Sequence, residues 1–587
     1  KALKALKALK ALKALKALSR RRVRGPTMDD VDRWQRRGVT AAPAEMRSAW
    51  RASGWWGDHC LLDWWSLAVA ACPDALAVVD RAGTAYTYAQ ADEVSSRLAS
   101  WLADRGTGPG DIVPVQLPSW SPFLPVLIAV MKTGAAITPL SPNLRHSEWA
   151  NALDLCAPRV AVMPTRFRRT VHSALARELL EEDNALESVL LVGPREDGAP
   201  EAGLPRFDDV VRTSPPLARR AWRRSHGEDI AAVLFTSGSE AAPKGVMLSH
   251  NNMIASENAF AYGLRLGVDD GIFMPSPLGH ATGFLHGVVM PVLTRGTSIL
   301  CDSTDGAEMS RMLVRHGATC GMSVPAVIDT ILCSCQENAA DLARLRFLCC
   351  GGAPVPRRLL ERARGLGVRL YSVYGSTEHA PHTMTTSQDS DERVLSADGC
   401  ACAGAEVRIV DPVTRAVLPA GVEGEQASRG PAVFSGYLGR PDLTRKVLDD
   451  DGWYYSGDLA VMDAEGYIRI SGRRKDLIIR GGENISPSEV EGVLMGHPAI
   501  AVAAVVPVPD PVLGERTLAY IVRRPGATAV DVPALREWFI AQGVAKFKIP
   551  EYVEHLEEMP TTSAGKVDKV TLKRRAGSFR PPASSCR

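Results

Sequence analysis

Short apolar runs alternate with longer amphipathic stretches along the chain from about residue 77 onward. Residues 77–80 and 85–88 have the pattern of two strands around a glycine turn, which predicts a hairpin. Residues 89–105 carry helical periodicity, residues 111–116 have the pattern of a strand, and residues 119–133 are again helical. Strands that alternate with helices in this way predict βαβ units and a mostly parallel sheet.

The same alternation continues through residues 159–190, 227–263 and 296–380. Glycines and shorter strand patterns cluster between residues 400 and 470, which predicts a β-rich subdomain. Six tryptophans fall between residues 30 and 70, and we interpret this segment as a helical cap packed on the core. The predicted fold class is α/β, with a large N-terminal domain of mixed and parallel sheets flanked by helices.

The first eighteen residues are six copies of Lys-Ala-Leu, and residues 1–24 hold ten basic side chains and no acidic one. The whole chain has 69 basic and 66 acidic residues, whereas the chain without this leader has 59 and 66, a charge of −7. Because the chain without this leader is mildly acidic, its net charge does not indicate a broad nucleic-acid-binding surface. A three-residue repeat advances about 300° per step around a helix, so it leaves no apolar face for a membrane surface. We interpret residues 1–24 as a low-complexity leader outside the fold, with attachment to an anionic surface as the alternative.

The remaining composition predicts a protein without a membrane span or a disulfide framework. The best apolar candidate, residues 123–131, is a run of nine residues ended by Lys132, whereas a spanning helix needs about 20. The twelve cysteines include no C-x-x-C pair, which favours reduced and mostly buried thiols. These features predict a cytoplasmic location.

A candidate phosphate-binding loop follows the apolar strand pattern of residues 231–235. Residues 236–245 read Thr-Ser-Gly-Ser-Glu-Ala-Ala-Pro-Lys-Gly. The hydroxyls and backbone N–H groups of such a loop can donate to phosphate oxygens, and its lysine adds positive charge. Because the spacing is not G-x-x-x-x-G-K-[ST], the loop is not a Walker A motif.

The loop resembles the T-S-G-[ST]-[TSE]-G-x-P-K-G signature of the adenylate-forming superfamily, which contains acyl- and aryl-CoA synthetases, peptide-synthetase adenylation domains and luciferases. Four further segments resemble the other motifs of this superfamily and follow in the same order. They are Tyr-Gly-Ser-Thr-Glu at 374–378, Tyr-Ser-Gly-Asp at 455–458, Gly-Arg-Arg-Lys-Asp at 472–476 with Gly-Gly-Glu-Asn-Ile-Ser-Pro at 481–487, and Pro-Thr-Thr-Ser-Ala-Gly-Lys at 560–566. The resemblance extends over residues 60–575 and points to the branch of medium-chain and alicyclic acyl-CoA ligases.

The resemblance implies a two-step reaction that uses ATP, Mg²⁺ and coenzyme A. A carboxylate is joined to AMP with release of pyrophosphate, and the acyl group then passes to a thiol. It also implies an adenylate-forming domain over residues 25–474 and a small, mobile α+β C-terminal lid domain over residues 475–587.

The resemblance assigns a role to each motif residue. The catalytic set is Lys566, Glu378, Thr377 and His280, in which Glu378 is also the Mg²⁺ ligand. The nucleotide- and CoA-binding residues are Thr236, Ser237, Gly238, Ser239 and Lys244 at the outer phosphates, Gly351, Gly352, Ala353, Pro354, Tyr374 and Gly375 at adenine, Asp458 and Arg473 at the ribose, Lys475 at the interdomain hinge, and Gly481 and Gly482 in the loop that approaches the acyl carbonyl after adenylation.

The substrate is expected to be a hydrophobic carboxylic acid, with bulky alicyclic acids included. His280 lies in Pro-Leu-Gly-His-Ala-Thr-Gly-Phe-Leu-His-Gly at 277–287, which resembles the acyl-pocket segment of medium-chain and alicyclic ligases. We interpret His280 as a gate or wall of that pocket in preference to a general acid or base. No aspartate that would bind an α-amine is evident in this segment.

One residue departs from the family signature, because Ala241 stands where the family has glycine. A Cβ at a tight phosphate-facing position can obstruct the backbone or disfavour positive φ. This leaves open an enzyme with weak adenylation that thioesterifies a pre-formed acyl-adenylate. An acyl-AMP ligase that loads a carrier protein and a non-catalytic nucleotide-binding relative are also compatible with the sequence. The sequence leaves the oligomeric state open, a dimer included.

Overall fold

Strands form two large sheets, a smaller antiparallel sheet and a C-terminal sheet. The computed structural model describes residues 34–182, 184–194, 203–223, 225–236, 243–353, 355–480, 483–510, 513–542, 544–562 and 566–579. The strands are β1 (Leu76–Asp80), β2 (Ala85–Thr87), β3 (Ile112–Val115), β4 (Ala136–Pro139), β5 (Val160–Pro164), β6 (Arg166–Phe167), β7 (Thr170–Val171), β8 (Ser188–Val192), β9 (Ile230–Thr236), β10 (Lys244–Ser249), β11 (Gly271–Met274), β12 (Thr297–Leu300), β13 (Cys320–Ser323), β14 (Phe347–Gly351), β15 (Arg369–Tyr374), β16 (Thr383–Met384), β17 (Cys400–Ala401), β18 (Glu406–Val410), β19 (Gly424–Arg429), β20 (Tyr454–Met462), β21 (Ile468–Arg473), β22 (Ile478–Arg480), β23 (Glu483–Ile485), β24 (Ile500–Asp510), β25 (Gly514–Arg523) and β26 (Tyr552–Leu556).

The helices that flank these sheets alternate with the strands along the chain. They are Ala44–Ser53, Leu61–Ala71, Tyr88–Ala103, Phe123–Thr133, His146–Cys156, His172–Glu181, Phe207–Thr213, His250–Leu264, Met290–Thr294, Gly306–Arg315, Pro325–Glu337, Arg357–Gly365, Asp391–Ser396, Pro441–Val447, Pro487–Met495, Val532–Ala541 and Lys569–Gly577, together with a π-helix at Thr282–Val289 and 3₁₀ turns at Arg219–Ala221, Arg474–Asp476 and Lys546–Lys548.

The sheet orders confirm the predicted α/β class. The nine-stranded sheet runs β17-β16-β15-β14-β13-β11-β12-β1-β2, and its central strands are parallel. The six-stranded sheet runs β10-β9-β4-β3-β5-β8 and is parallel except for β10. The predicted hairpin is the antiparallel pair β1–β2, and the predicted β-rich subdomain is the antiparallel sheet β18-β19-β20-β21. The C-terminal sheet β23-β22-β25-β24, with β26 beside β25, packs with the last helices into the small α+β domain.

The helix Phe123–Thr133 is buried over its whole length and belongs to an apolar cluster that contains residues of both large sheets. The sequence pattern placed its start at residue 119, whereas the helix begins at Phe123. The preceding turn is held differently, because the N–H and Oγ of Ser121 both donate to Asp80 Oδ2, each at 2.9 Å. This turn therefore satisfies its polar groups through β1 and not through a helix.

The N-terminal tryptophan segment packs on the core through two helices, as predicted. Trp65 on the helix Leu61–Ala71 is fully buried, and the indole N–H of Trp56 donates to the carbonyl of Pro431 at 2.9 Å. The eleven cysteines of the described ranges are free thiols, and eight of them are buried. No described helix combines the length and the apolar character that a membrane crossing requires.

Candidate active site

The predicted site residues gather where parallel strands end. Thr236 is the last residue of β9, Gly351 the last of β14 and Tyr374 the last of β15. In open parallel sheets the carboxyl ends of neighbouring strands form the crevice that binds ligands. Ser237, Gly238, Ser239, Ala241, Pro354, Gly481, Gly482 and the side chain of Lys475 lie outside the described residues.

Lys244 is brought to the site by a strand that the sequence reasoning did not assign to it. It begins β10, which runs antiparallel to β9, and its register partner is Thr236. The two ends of the predicted phosphate loop are therefore joined as neighbouring strand residues. The ammonium of Lys244 lies 5.3 Å from the centre of the Tyr437 ring.

Tyr437 also contacts the predicted metal ligand. Its hydroxyl donates to Glu378 Oε1 at 2.7 Å, and only 9% of Glu378 is exposed. Thr377, next to Glu378 in the turn after β15, is half-buried. Tyr437 thus stands between the lysine of the phosphate loop and the carboxylate of the second motif. It lies outside every motif, so no sequence signal pointed to it.

Asp458 is held by donors from two different sheets. The hydroxyl of Tyr374 donates to Oδ2 and Arg473 Nε donates to Oδ1, both at 2.8 Å. Burial, reinforced by the negative charge of Asp458, raises the pKa of Tyr374 well above its ordinary value. The same carboxylate is the main cause of the raised pKa of Arg473. Two oriented oxygens at the cleft are a geometry that can accept a pair of neighbouring hydroxyls.

Lys566 reaches this site from the C-terminal domain. A Cβ added at Gly352 would lie 2.8 Å from Lys566 Cε and 3.2 Å from its Nζ, so the ammonium lies directly against the Gly351–Ala353 segment. Gly352 has φ +82°, a conformation that favours glycine. The side chain of Lys566 keeps exposed surface. Desolvation by the surrounding residues, followed by the positive charge of Arg473, lowers the pKa of Lys566.

The loop that carries Lys566 is anchored on both sides. Thr561 and Val567 form a β-bridge, and the N–H of Thr562 donates to the carbonyl of Lys566 at 2.7 Å. The following helix, Lys569–Gly577, pairs Lys573 with Asp476 of the turn Arg474–Asp476 at 2.7 Å. The predicted hinge segment is thereby tied to the helix that follows the lysine.

His280 borders the same space as a neutral imidazole. Its Nδ1 accepts from the backbone N–H of Thr282 at 3.3 Å. Burial, together with the positive charges of Lys566 and His286, lowers the pKa of His280 to about 3. A side chain with this pKa is uncharged near neutral pH, which agrees with the predicted wall of an acyl pocket.

A buried polar network that sequence reasoning missed supports the turn after β15. Gln426 accepts from the Tyr374 hydroxyl at 3.3 Å and contacts His382 Nδ1 at 3.2 Å. His382 Nε2 lies 3.2 Å from Ser376 Oγ, so the network connects the residue before Thr377 with the residue that holds Asp458. Burial, followed by the charge of His379, keeps the pKa of His382 far below its ordinary value. The one indication of this network in the sequence is His382, four residues beyond Glu378.

Comparisons with known proteins show the family of this chain. Residues 65–438 match the family model described as AMP-binding enzyme, and residues 489–566 match the AMP-binding enzyme C-terminal domain. The chain belongs to the AMP-binding enzyme family. The predicted membership of the adenylate-forming superfamily and the predicted AMP-forming ligase are thereby confirmed.

Two curated relatives and one solved structure show how far the similarity extends. The medium-chain fatty-acid–CoA ligase of Escherichia coli (strain K12) is 41% identical over 530 residues, which are 90% of this chain and 93% of that protein. The feruloyl-CoA synthase of an Amycolatopsis species is 33% identical, with 87% of this chain and 98% of that protein covered. ATP-bound MatB from Rhodopseudomonas palustris superposes with a TM-score of 0.76 at 28% identity, over 89% of this chain and 99% of that one. These matches establish for this chain the α/β fold of the family with its small C-terminal domain.

Proposed function

We propose that this family enzyme is an acyl-CoA synthetase that converts a hydrophobic carboxylic acid to its CoA thioester through an acyl-adenylate. The observation that carries the proposal is the position of Lys566, whose ammonium lies against Gly352 and within the electrostatic reach of Asp458 and Arg473. A cation that the C-terminal domain places beside Gly352 and near Asp458 suits a reaction that develops negative charge between a carboxylate and a phosphate.

The nucleotide would be held mainly by groups of the N-terminal domain. Asp458 accepts the ribose hydroxyls, since both of its oxygens are already oriented by Tyr374 and Arg473. The backbone of Gly351, Gly352, Ala353 and Pro354, with Tyr374 and Gly375, forms the slot for adenine. Thr377 donates to the α-phosphate from the turn beside this slot.

The outer phosphates would be bound by the loop between β9 and β10. Thr236, Ser237, Gly238 and Ser239 supply hydroxyl and N–H donors, and Lys244 supplies a point charge. Among the described residues, no three or more His, Cys, Asp or Glu side chains are grouped to hold a metal ion. Mg²⁺ is commonly bound through one or two carboxylates together with substrate phosphates and water. Glu378 fits such a site, because Tyr437 occupies Oε1 and no described residue is bonded to Oε2. Mg²⁺ held there with phosphate oxygens would neutralise charge on the triphosphate.

In the first half-reaction a carboxylate oxygen bonds to the α-phosphorus and the bond to pyrophosphate breaks. Lys566 holds the attacking carboxylate and an α-phosphate oxygen in line, which contributes orientation and charge stabilisation. In the second half-reaction the sulfur of CoA bonds to the acyl carbon, its proton is released, and the bond to AMP breaks. For this step we propose that residues 475–587 turn about Lys475, so that Gly481 and Gly482 replace Lys566 at the carbonyl.

The acyl chain would occupy the space beside His280. The uncharged imidazole and the apolar residues of the π-helix Thr282–Val289 offer little to a charged substrate. The E. coli relative is named for medium-chain fatty acids and the Amycolatopsis relative for ferulate, and both names denote acids with a substantial apolar part. We therefore propose a hydrophobic acid, with bulky alicyclic acids among the candidates.

Ala241 favours a second candidate within the same fold, in which the enzyme mainly thioesterifies an acyl-adenylate. The methyl group at the family glycine would weaken the contact between loop and phosphates, while the adenylate, which lacks the outer phosphates, would bind normally. Loading of a carrier-protein thiol in place of CoA remains the alternative for the acceptor.

The deciding experiment measures loss of free CoA thiol and formation of AMP over straight-chain, aromatic and alicyclic acids, with and without ATP. Synthetic acyl-adenylates are tested in parallel without ATP. The main proposal predicts ATP-dependent thioester formation with at least one hydrophobic acid. Turnover of the adenylate with no turnover of any acid plus ATP would support the second candidate, and absence of both would refute the CoA synthetase.

A further inference from the structure

A cavity that the scheme above does not use lies where strand ends of both large sheets meet. Its volume is about 320 Å³, at the lower end of the range for small-molecule sites. Arg81 and Asp302 lie within two residues of the ends of β1 and β12 in the nine-stranded sheet, and Thr165 directly follows β5 in the six-stranded sheet. The polar and aromatic side chains that line it include Arg81, Trp120, Thr165, Arg166, Arg168 and Asp302. We call it the arginine cavity.

The carboxylate of the arginine cavity is neutralised by groups of the cavity itself. Asp302 Oδ1 accepts from Arg81 Nε at 2.5 Å, and Oδ2 accepts from the indole N–H of Trp120 at 3.0 Å. These bonds fix a guanidinium and an aromatic ring as walls. The lining has three arginines and this one aspartate, a net formal charge of +2. A cavity of this charge, with both carboxylate oxygens in use, favours an anionic ligand.

Thr165 offers the arginine cavity a buried hydroxyl that the protein leaves unused. The residue is 1% exposed, and within the described part of the chain its Oγ1 has no hydrogen-bond partner. A Cβ at Gly193 would lie 2.8 Å from this Oγ1 and 3.5 Å from the Trp120 ring, so the glycine keeps the space beside the hydroxyl open. A buried hydroxyl without a partner costs free energy, which a ligand in the cavity would recover by bonding to it.

The rim of the arginine cavity combines aromatic rings with exposed guanidinium groups. Trp120 and Phe167 meet edge to face, with 6.3 Å between ring centroids and 75° between planes. The guanidinium of Arg168 lies 5.1 Å from the centre of the Phe167 ring, and both Arg166 and Arg168 are exposed. Aromatic faces stack on flat bases, and guanidinium groups bind phosphate oxygens in pairs. This combination suits a ligand that has both an aromatic base and phosphate groups.

We propose that the arginine cavity binds a phosphorylated nucleotide, with its phosphates at Arg166 and Arg168 and a polar group at the Thr165 hydroxyl. Two sources present this chemistry. One is the 3′-phosphorylated ADP end of CoA, and the other is a free nucleotide that acts as an effector. The first source rests on the proposed acyl-CoA synthetase activity, whereas the second does not.

The arginine cavity is separate from the proposed adenine slot. In the nine-stranded sheet β12 lies three strands from β14, whose last residue is Gly351. Neighbouring strands are about 4.8 Å apart, so these two strand ends are separated by roughly 15 Å across the sheet. The arm between the thiol and the phosphates of CoA is about as long as four to five extended residues, roughly 15 Å. One CoA molecule can therefore span from the cavity to the candidate active site, and a nucleotide in the cavity need not displace ATP.

The test measures binding of adenosine 3′,5′-bisphosphate by titration calorimetry, because this probe has the phosphorylated end of CoA and no thiol. The wild type should bind it at least tenfold more tightly than adenosine, and Arg166→Gln/Arg168→Gln should weaken its binding at least tenfold. Arg159→Gln/Arg212→Gln is the matched control, since these exposed arginines lie before β5 and on the helix Phe207–Thr213. The control should keep the wild-type Kd. No binding by the wild type, or the same Kd in both double variants, would overturn the proposal.

Thr165→Val separates binding from folding. It replaces the hydroxyl by a methyl group of similar size, and because the hydroxyl has no partner without ligand, the urea midpoint of unfolding should not decrease. The Kd for adenosine 3′,5′-bisphosphate should rise about threefold to tenfold. A lower urea midpoint with an unchanged Kd would assign Thr165 a purely structural role and contradict its place in the site.

Kinetics with CoA distinguish the two sources. If CoA supplies the nucleotide, adenosine 3′,5′-bisphosphate should compete with CoA in the conversion of a synthetic acyl-adenylate. Arg166→Gln/Arg168→Gln should then raise the KM for CoA at least threefold and leave the KM for ATP in pyrophosphate exchange unchanged. If a free nucleotide is the ligand, the KM for CoA should stay unchanged and the probe should not compete with CoA. Calorimetric binding without thioester formation from any acid or adenylate would refute the synthetase and leave the nucleotide site standing.

Discussion

Arg473 and Asp458 face each other across the antiparallel pair β20–β21, with Arg473 Nε 2.8 Å from Asp458 Oδ1. The guanidinium is more than half exposed, at 56%, whereas the carboxylate is 7% exposed. The second carboxylate oxygen is held by Tyr374 at the end of β15. One carboxylate is thus oriented by two sheets at the edge of the cleft, and this supports its proposed role at the ribose.

Asp458→Asn should weaken nucleotide use because an amide has only one accepting oxygen and leaves Arg473 without its partner. Charge-assisted hydrogen bonds contribute about 1.5–3 kcal/mol, so kcat/KM for ATP in pyrophosphate exchange should fall roughly 10- to 100-fold. Asp463→Asn is the matched control, since Asp463 lies on the same hairpin but pairs with a different arginine. Its Oδ2 lies 2.7 Å from a guanidinium nitrogen of Arg393. Equal kinetics for the two variants would remove Asp458 from the nucleotide site.

Tyr437→Phe tests whether the hydroxyl between Lys244 and Glu378 positions the proposed Mg²⁺ ligand. Its loss frees Glu378 Oε1, so the concentration of Mg²⁺ that supports half-maximal pyrophosphate exchange should rise about threefold to tenfold. Tyr467→Phe is the control, because its hydroxyl bonds to Asp389 in a separate contact. A lower kcat without any shift in the Mg²⁺ dependence would argue against the positioning role.

The pH dependence of adenylation should report the lowered pKa of Lys566. The reacting form is the ammonium, which is present below the pKa and is lost as the pH rises through it. Because the pKa lies below the ordinary value for lysine, pyrophosphate exchange should decline on the alkaline side with a midpoint below about 10.4. Pyrophosphate exchange is the proper readout, since the thiol of CoA takes no part in it. A rate that stays constant up to pH 10.5 would contradict this prediction.

Acid should destabilise the fold through histidines that are buried in the neutral form. Burial lowers the pKa of His250 to about 4, whereas an unfolded histidine has a pKa near 6.5. Between these values the unfolded chain binds the extra proton, so the free energy of unfolding decreases as the pH falls. From pH 7 to pH 5 this one group should remove roughly 2 kcal/mol.

The measurement is the free energy of unfolding in urea at pH 7 and pH 5 for the wild type and His250→Gln. The variant should start from a lower stability, because it loses the bond to Leu61, but it should lose about 2 kcal/mol less on acidification. An identical loss in both proteins would show that His250 does not titrate in this range.

The structure brings several of the motif residues predicted from sequence into contact, among them Tyr374 with Asp458 and Lys566 with Gly352. Thr236, Tyr374 and Asp458 could be predicted for two reasons. Each lies in a strand with a visible apolar pattern, and each belongs to a motif that specifies the residue type. The meeting of Asp458 with Arg473 follows from two neighbouring strands that are only 15 residues apart. The predicted roles of these residues, and the domain boundary between residues 474 and 475, stay predictions.

Other parts of the site depend on contacts that no local pattern encodes. Tyr437 reaches Glu378 across 59 residues, and Gln426 reaches Tyr374 across 52. Neither Tyr437 nor Gln426 belongs to a motif, and each contact depends on tertiary packing that joins distant parts of the chain. The buried contact between His286 and Glu257 is similar, since the two residues are 29 positions apart on two helices whose facing sides are set by tertiary packing.

Lys566 should serve the formation of the adenylate and not the transfer to the thiol, and the proposed two-step mechanism depends on this division. The decisive comparison sets Lys566→Ala against the wild type in two assays, acid-dependent pyrophosphate exchange and conversion of a synthetic acyl-adenylate to acyl-CoA. We expect exchange to fall at least 100-fold while the thioester step stays within about threefold. Equal losses in both assays, or no loss of exchange, would contradict the mechanism.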